Sequence, residues 1–173
     1  MIKAIYGKDK ILMFRLLAEA KEKEAVKLAL QTSHTITYER DSEQTQTEDG
    51  AINTSKGLTV TVDIEAVSYK DEVNTMLKNS VLEGQKLECW EIDLSEPTPD
   101  GKYPALYMQG DLDSWELPAD VEDLASFSTT LNVDGKPQAG EVTLSPEQED
   151  EIMYAFRDIT IFEGEEPAVD PGE

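Results

Sequence analysis

Two segments of the chain alternate strictly between residues that favour burial and residues that favour water. Residues 58–66 alternate around Val60, Val62 and Ile64, and residues 125–133 alternate around Phe127 and Leu131. A period of two over nine residues predicts half-buried strands, each with one polar face. The polar positions are Thr59, Thr61, Asp63 and Glu65 in the first segment, and Ser126, Ser128, Thr130 and Asn132 in the second.

Shorter apolar and β-branched runs predict further strands. Residues 11–17, 35–39 and 86–94 each have the length and composition of a strand. Residues 103–117 contain one or two more, with a break near Gly110 or Asp111 that is typical of a bulge. The sum is six or seven strands with polar faces, which predicts two packed β-sheets.

One segment has clear helical spacing, and two others leave the question open. Between Tyr69 and Leu82 the apolar residues recur at helical intervals, with Ser68 as N-cap and Gly84 after the end. This helix is expected on the flank of the sheets. Residues 19–30 have the composition either of a helix or of a mobile charged connection. Ser145 starts a typical helix signal, but its continuation is open.

A long polar segment separates the strands at 35–39 and 58–66. Residues 41–57 contain almost nothing apolar, and Asp49-Gly50 near their middle is a strong hairpin-turn signal. Eight residues out and eight back, at ~3.3 Å per residue, would project roughly 26 Å. The segment therefore predicts a hairpin arm for contacts between subunits. The candidate contact residues of the arm are Asp41, Glu43, Gln44, Gln46, Glu48, Asp49, Asn53 and Lys56.

Charge and length set the class of protein. The chain has 173 residues, with 37 Asp and Glu against 15 Lys and Arg, for a net charge of -22. Such a balance argues against gripping DNA or anionic membranes. No apolar run has the roughly 20 residues that span a bilayer, and the N-terminus lacks a signal-peptide core, so synthesis in a cytoplasm is expected. We expect a single domain over residues 1–162 and a disordered acidic tail over 163–173.

Candidate catalytic chemistry is sparse. Cys89 is the only cysteine and His34 the only histidine, which excludes an internal disulfide and a histidine metal cluster. Cys89 is expected in the core and His34 as a polar strand residue, and no nucleotide-binding or nucleophile motif is present. We therefore expect no enzyme, no cofactor and no metal.

Two alternative functions remain open. One is a carbohydrate- or receptor-binding β-sandwich module that uses the exposed aromatics Trp115, Tyr103 and Tyr107. The other is a hydrolase using carboxylates beside Trp115. Its candidate residues are Asp111, Asp113 and Glu116.

Eight long segments in chain order carry a family resemblance. These segments are ILMFRLL (11–17), KLALQTSHTITYER (27–40), DGAINTSKGLTVTVDIEA (49–66), NTMLKNSVLEGQKLEC (74–89), WEIDL (90–94), KYPA (102–105), WELPA (115–119) and FSTTLNVDGKP (127–137). Through them most of the chain, from about Lys8 to Asp158, resembles the major tail proteins that form the tail tube of long non-contractile-tailed bacteriophages.

The resemblance implies a β-sandwich with one helix on its side and no catalytic residue. It implies hexameric rings whose inner sheets join into one β-barrel, and stacked rings that form the channel for DNA. The hairpin and the chain termini would mediate contacts between rings. Other expected partners are tape measure, distal tail and terminator proteins, in a virion tail assembled in the bacterial cytoplasm.

The resemblance also gives the polar strand faces a candidate role. The polar positions of residues 59–65 and 126–132 are candidates for the wall of the channel, although alternation alone does not say which face is inside. Carboxylates and hydroxyls on such a wall would repel phosphates, so DNA would slide without being held. Repulsion between the acidic subunits predicts that assembly strengthens with added salt.

Overall fold

The computed structural model describes residue 4 and residues 6–152, with the side chains of 150–152 excluded. Within this range the chain forms eight strands and two α-helices, with short 3-10 turns at Gly7–Asp9 and Leu17–Glu19. The elements are β1 (Lys10–Leu16), β2 (Val26–Lys27), β3 (Gln31–Thr47), β4 (Gly50–Val67), α1 (Glu72–Glu83), β5 (Leu87–Asp93), β6 (Tyr103–Leu112), β7 (Ser126–Val133), β8 (Gln138–Val142) and α2 (Pro146–Ile152).

The strands form one antiparallel hydrogen-bonded path that folds over a core. Its order is β2-β1-β5-β6-β7-β4-β3, and β8 pairs with β6 off this path. Side chains from β1 and β5 share one buried cluster with side chains from β4, β7 and α1, so the path forms two packed layers. The mainly β fold with one flanking helix is confirmed. The cluster contains Leu12, Phe14, Leu28, Val62, Ile64, Ala66, Val73, Leu77, Leu87, Cys89, Met108, Leu112, Phe127 and Leu131.

Strand β6 connects the two layers by changing its partner. Residues 103–107 pair with β8, and residues 110–112 pair with β7. Gly110 lies at the change, where a Cβ atom would stand 2.0 Å from the carbonyl oxygen of Asn132. The sequence predicted a break near Gly110. The structure instead keeps the strand continuous, and glycine is required because another backbone approaches closely.

Strand β4 and helix α1 form as their sequence periodicity predicts. Val60, Val62, Ile64 and Ala66 are all buried, and Val73 and Leu77 are the apolar residues that α1 buries. The helix begins at Glu72, later than predicted, because Asp71 is the N-cap and its Oδ1 accepts from the Asn74 backbone N–H at 2.8 Å. The C-cap Gly84 has the left-handed conformation expected at a helix end (φ 65°).

Three further segments, residues 19–30, strand β8 and residues 144–152, were open or not predicted from the sequence. Residues 19–30 do not form an α-helix but carry the short strand β2, and β8 was not predicted. Of the described residues, those up to 143 belong to one compact unit and residues 144–152 to a second. In the second unit Ser145 caps α2, since its Oγ accepts from the Gln148 N–H at 3.2 Å. The tail at 163–173 and the predicted boundary at 162 lie outside the described residues.

Candidate functional site

The first candidate surface is the hairpin arm formed by the outer parts of β3 and β4. Six cross-strand pairs, from Ser42 with Ser55 to Thr47 with Gly50, continue the ladder beyond the core. The tip is a tight turn in which Thr47 Oγ1 donates to the carbonyl oxygen of Gly50 at 2.6 Å. Gly50 has φ 134°, which side-chain-bearing residues rarely adopt. The arm is thus an extended two-stranded ribbon.

Every residue of the arm is exposed. This includes the candidates Asp41, Glu43, Gln44, Gln46, Glu48, Asp49, Asn53 and Lys56. Lys56 Nζ lies 3.0 Å from Glu43 Oε2, but both side chains are more than half exposed, so this ion pair adds little stability. Without an apolar layer beneath it, a two-stranded ribbon is marginally stable alone.

A register shift marks the junction of the arm with the body. Between the pairs Arg40–Leu58 and Ser42–Ser55, β4 contributes one residue more than β3. Such a bulge bends a ribbon and increases its twist, so it sets the direction of the arm. The guanidinium of Arg40 donates to the Lys56 carbonyl oxygen at 3.4 Å across this junction.

The second candidate surface is the polar face of β4 and β7, and the structure brings its predicted residues together. In the ladder Thr61 pairs with Asn132, Asp63 with Thr130, and Glu65 with Ser128. Directly opposed residues of antiparallel strands point to the same side. Ser126 and Thr59 lie at the two ends of the same face, opposite Val67 and Glu39 respectively.

Strand β3 extends this face with residues that the sequence did not assign to it. The pairs are Ser33 with Glu65, Thr35 with Asp63, Thr37 with Thr61, and Glu39 with Thr59. The alternation at 35–39 predicted the strand, but only the register shows that its polar side joins that of β4. We call the combined surface the polar face. It comprises Ser33, Thr35, Thr37, Glu39, Thr59, Thr61, Asp63, Glu65, Ser126, Ser128, Thr130 and Asn132.

Hydrogen bonds hold two of the three carboxylates of the polar face. Thr130 Oγ1 donates to Asp63 Oδ1 at 2.8 Å, and Ser33 Oγ donates to Glu65 Oε2 at 3.3 Å. At the β7 end, Asn132 Nδ2 donates to Asp113 Oδ2 at 2.8 Å. Three acids and no Lys or Arg belong to the polar face, so its electrostatic character is negative.

A lysine neutralises acids at the rim of this surface. Lys86 Nζ lies 3.1 Å from Asp111 Oδ2 and also contacts the carboxylate of Asp134. The hydrogen bond to Asp134, followed by that to Asp111, raises the pKa of Lys86 above its usual value. Asp111 in turn pairs with Asn132 in the ladder. At the rim one ammonium group therefore partly offsets two carboxylates, whereas the polar face itself has no Lys or Arg.

The residues of the alternative functions occupy packed positions. Trp115 stacks on Phe127 with ring centroids 4.3 Å apart, so one face of its indole is covered. Tyr103 is buried, and the Tyr107 hydroxyl donates to Glu88 Oε1 at 2.6 Å. These contacts leave a glycan fewer aromatic faces than the sequence suggested.

The single thiol and the single imidazole are both held in the interior side of the sheet. Cys89 is fully buried, and burial raises the pKa of its thiol. His34 Nε2 lies 2.5 Å from Glu91 Oε2, while Nδ1 contacts the Gln31 amide. Among the described residues no group of three or more His, Cys, Asp or Glu has metal-binding geometry. Within the same part of the chain, no helix has the length and hydrophobicity needed to cross a membrane.

Comparison with known proteins gives a consistent family assignment. A sequence model described as phage tail tube protein matches residues 4–139. A putative tail protein of Staphylococcus phage phiMR25 is 27% identical over 159 residues, covering 88% of this chain and 81% of that protein. Since the family match spans most of the sequence, the chain belongs to the phage tail tube protein family.

Solved structures agree with this assignment at the level of fold. The SPP1 tail tube has a TM-score of 0.71 with 20% identity, and the match covers 98% of this chain and all of that one. The tail of an empty gene transfer agent particle, determined with C6 symmetry, has a TM-score of 0.60 with 13% identity and covers 78% of this chain and 98% of that one. The protein is a structural component of phage tails with the tail tube fold.

Proposed function

We propose that the chain polymerises as stacked hexameric rings, and that these rings form the tube through which DNA passes into the host. The observation that carries the proposal is the polar face, which three adjacent strands build in register without a basic residue. Placed on the inside of a ring, such a surface offers phosphates no cation to bind. DNA would then move through the channel without specific binding.

The free edge of β3 supports ring formation. β3 is the last strand of the hydrogen-bonded path, so its outer edge has no partner strand among the described residues. Exposed edges promote pairing with another chain, and closing a ring removes them. The C6 symmetry of the gene transfer agent tail supports six subunits per ring. In this arrangement the polar faces of neighbours join into one continuous wall.

The arm supports stacking of rings on one another. It projects beyond the core and presents only exposed side chains, which suits a contact with a second subunit. Stacking is a heterologous, open-ended contact and therefore makes a filament. Tape measure, distal tail and terminator proteins are the further partners that a tube of defined ends and length requires. Assembly would take place in the bacterial cytoplasm, with the product in the virion tail, and the proposal assigns no catalytic role to any described residue.

The experiment is negative-stain electron microscopy of the purified protein over a range of concentrations, with and without the arm. Deleting residues 43–52 leaves Asn53-Thr54 as a two-residue turn between the paired Ser42 and Ser55. We expect tubes or rings from the intact chain, and a folded monomer from the deletion variant. The far-ultraviolet circular dichroism of the two proteins, compared per residue, confirms that the body is intact.

The possible outcomes separate the two parts of the proposal. An intact chain that stays monomeric at every concentration contradicts tube formation. Tubes from the deletion variant would leave tube formation standing but remove the stacking role of the arm. Replacing Thr45, which is not a candidate contact residue, with Ser provides a control that keeps the arm length and charge.

A further inference from the structure

A groove rich in lysine runs along the inner side of β3. It has a volume of about 860 Å³ and lies between the start of β1, the end of β2 and residues 30–38. Lys8, Lys10 and Lys27 line it, whereas Glu91 is its one lining carboxylate. On a chain with a net charge of -22, a groove with an excess of cations selects an acidic occupant. We call it the lysine groove.

Two of the three lysines have no carboxylate partner among the described residues. Lys10 Nζ lies 3.1 Å from Asp93 Oδ2 and is thereby neutralised. The Lys8 ammonium lies 5.5 Å from the centroid of the Tyr6 ring. Neither Lys8 nor Lys27 takes part in an ion pair in the described part of the chain. Lys8 and Lys27 are therefore the cations that an incoming acidic group would meet.

The lysine groove also presents apolar surface. Leu30 is 54% exposed and Tyr38 is 55% exposed, and both line it. Leu30 has φ 46°, a left-handed conformation that costs a leucine roughly 1–2 kcal/mol. The chain thus holds an exposed leucine at the entrance to β3 in a strained conformation. An occupant with both negative charge and one aliphatic side chain would match this surface.

The tip of the arm has that composition. Glu48 and Asp49 are both exposed. In the described structure Glu43 is the one arm carboxylate in an ion pair, so Glu48 and Asp49 have no cationic partner there. Ile52 is the single large apolar side chain of the arm and is 58% exposed. It lies three residues from Asp49, or roughly 10 Å along the strand.

We propose that the arm tip of a second copy of this chain docks in the lysine groove. Glu48 and Asp49 pair with Lys8 and Lys27, and Ile52 packs on Leu30 and Tyr38. The arm cannot fill its own groove, because its six paired rows extend it ~20 Å away from the body. The inference rests on the proposed function, in which arms connect successive rings, and it names the surface that receives them.

Cross-linking tests the contact directly. Asp49→Cys protein is mixed with Lys27→Cys protein, assembled and treated with a short bis-maleimide; Cys89 is fully buried and does not react. We expect a covalent dimer in tubes and none in dilute monomer. Lys136→Cys is the control, because Lys136 is more exposed than the half-buried Lys27 but lies in the turn between β7 and β8.

The outcomes distinguish this inference from the proposed function. Tubes in which Asp49→Cys links no better to Lys27→Cys than to Lys136→Cys overturn the lysine groove as acceptor and leave the tube intact. Neither tubes nor cross-links at the highest concentration overturns both. The acidic segment 163–173 is a rival occupant. If Lys27→Cys is protected from maleimide in tubes that carry this segment and becomes exposed in tubes from which only the segment has been removed, the inference is also overturned.

Charge reversal provides an independent readout. The pair Lys8→Glu/Lys27→Glu should raise the protein concentration needed for assembly at least about tenfold. Adding Glu48→Lys/Asp49→Lys to the same chain should restore assembly at the original protein concentration. The control pair Lys102→Glu/Lys136→Glu changes the net charge by the same amount as Lys8→Glu/Lys27→Glu and should have less effect on assembly. If the arm substitutions fail to restore assembly and the control pair weakens assembly as much as Lys8→Glu/Lys27→Glu does, only net charge matters. That result would overturn the proposed contact.

Discussion

Thr130 on β7 donates a 2.8 Å hydrogen bond to Asp63 on β4, directly across the ladder. The contact fixes the position of the Asp63 carboxylate in the middle of the polar face. Its acceptor is charged, and such hydrogen bonds are stronger than those between neutral groups. Asp63 and Glu65 are therefore positioned by hydrogen bonds within the sheet and do not depend on a neighbouring subunit.

Placing cations on the polar face should make assembled tubes bind DNA. The Asp63→Lys/Glu65→Lys variant replaces two carboxylates with two ammonium groups in every subunit. Contacts between these ammonium groups and DNA phosphates weaken as the salt concentration rises. We expect binding of a fluorescent single-stranded oligonucleotide at low salt that is lost as salt rises, and none by the unmodified tube. Asp100→Lys/Asp123→Lys, at two exposed positions in the connections on either side of β6, is the control with the same change in net charge. Equal binding by that control would argue against the polar face as the channel wall.

Gly110→Ala should destabilise the fold strongly. The added Cβ would lie 2.0 Å from the carbonyl oxygen of Asn132, so the two backbones must separate where β6 changes partner. We expect a loss of about 3 kcal/mol or more in the free energy of unfolding, measured with urea.

Gly140→Ala is the matched control for that substitution. It also adds a methyl group to a strand glycine, but nothing lies within 4 Å of the new atom. We expect a change within about 0.5 kcal/mol. A similar loss in both variants would mean that the strand glycines matter for their flexibility and not for the close approach.

Glu88→Ala should cost about 3 kcal/mol of stability. Glu88 is 5% exposed and accepts from Arg15 Nε and from the Tyr107 hydroxyl, both at 2.6 Å. Removing it leaves Arg15 without its carboxylate in a half-buried position. Thermal or urea unfolding measures the loss, and Glu88→Gln should recover part of it by keeping an acceptor. Lys56→Gln, which breaks the exposed pair with Glu43, should leave the midpoint unchanged.

Ser95→Ala should lower stability at neutral pH but not in strong acid. Ser95 donates from its hydroxyl and its backbone N–H to Asp93, and with Lys10 it lowers the pKa of that carboxyl to about 2. A carboxyl with a depressed pKa in the folded state stabilises the fold above its unfolded pKa, and this contribution disappears as the pH falls through the folded value.

The difference between wild type and Ser95→Ala should therefore be present at pH 7 and decline between about pH 4 and pH 2. Because Asp93 is partly exposed, we expect no more than about 1 kcal/mol at neutral pH. Urea unfolding at closely spaced pH values measures it. A difference that stays constant down to pH 2 would show that the hydroxyl acts independently of the charge on Asp93.

Local sequence pattern predicted the strands whose two faces differ most. β4 and β7 alternate because one side of each lies on the core, and the arm followed from a polar run around Asp49-Gly50. Strand β8 was missed because Gln138–Val142 is almost entirely exposed and its conformation depends on pairing with β6. The start of α1 was misplaced because Ser68 and Asp71 are both good caps, and only tertiary contacts select one of them.

The candidate surfaces, like the strands, were predictable where they depend on local sequence and not where they depend on tertiary pairing. The polar positions of β4 and β7 could be named from the sequence, but the share contributed by β3 depends on register. The lysine groove could not be foreseen, because Lys8 comes from a 3-10 turn, Lys27 from β2 and Tyr38 from β3, and they carry no common motif. The net charge of the whole chain, -22, gives no sign of such a local excess of cations.

The arm also has a consequence for the timing of polymerisation. Its six outer pairs have no core beneath them, so an isolated subunit gains little free energy by keeping them formed. Ordering the ribbon costs conformational entropy that is recovered only when a receiving surface is present. Two free subunits therefore meet a higher kinetic barrier than a subunit that reaches an existing end. Growth should show a lag that short preformed tubes abolish, so the cell can hold a pool of free subunits until a tail end is ready to receive them.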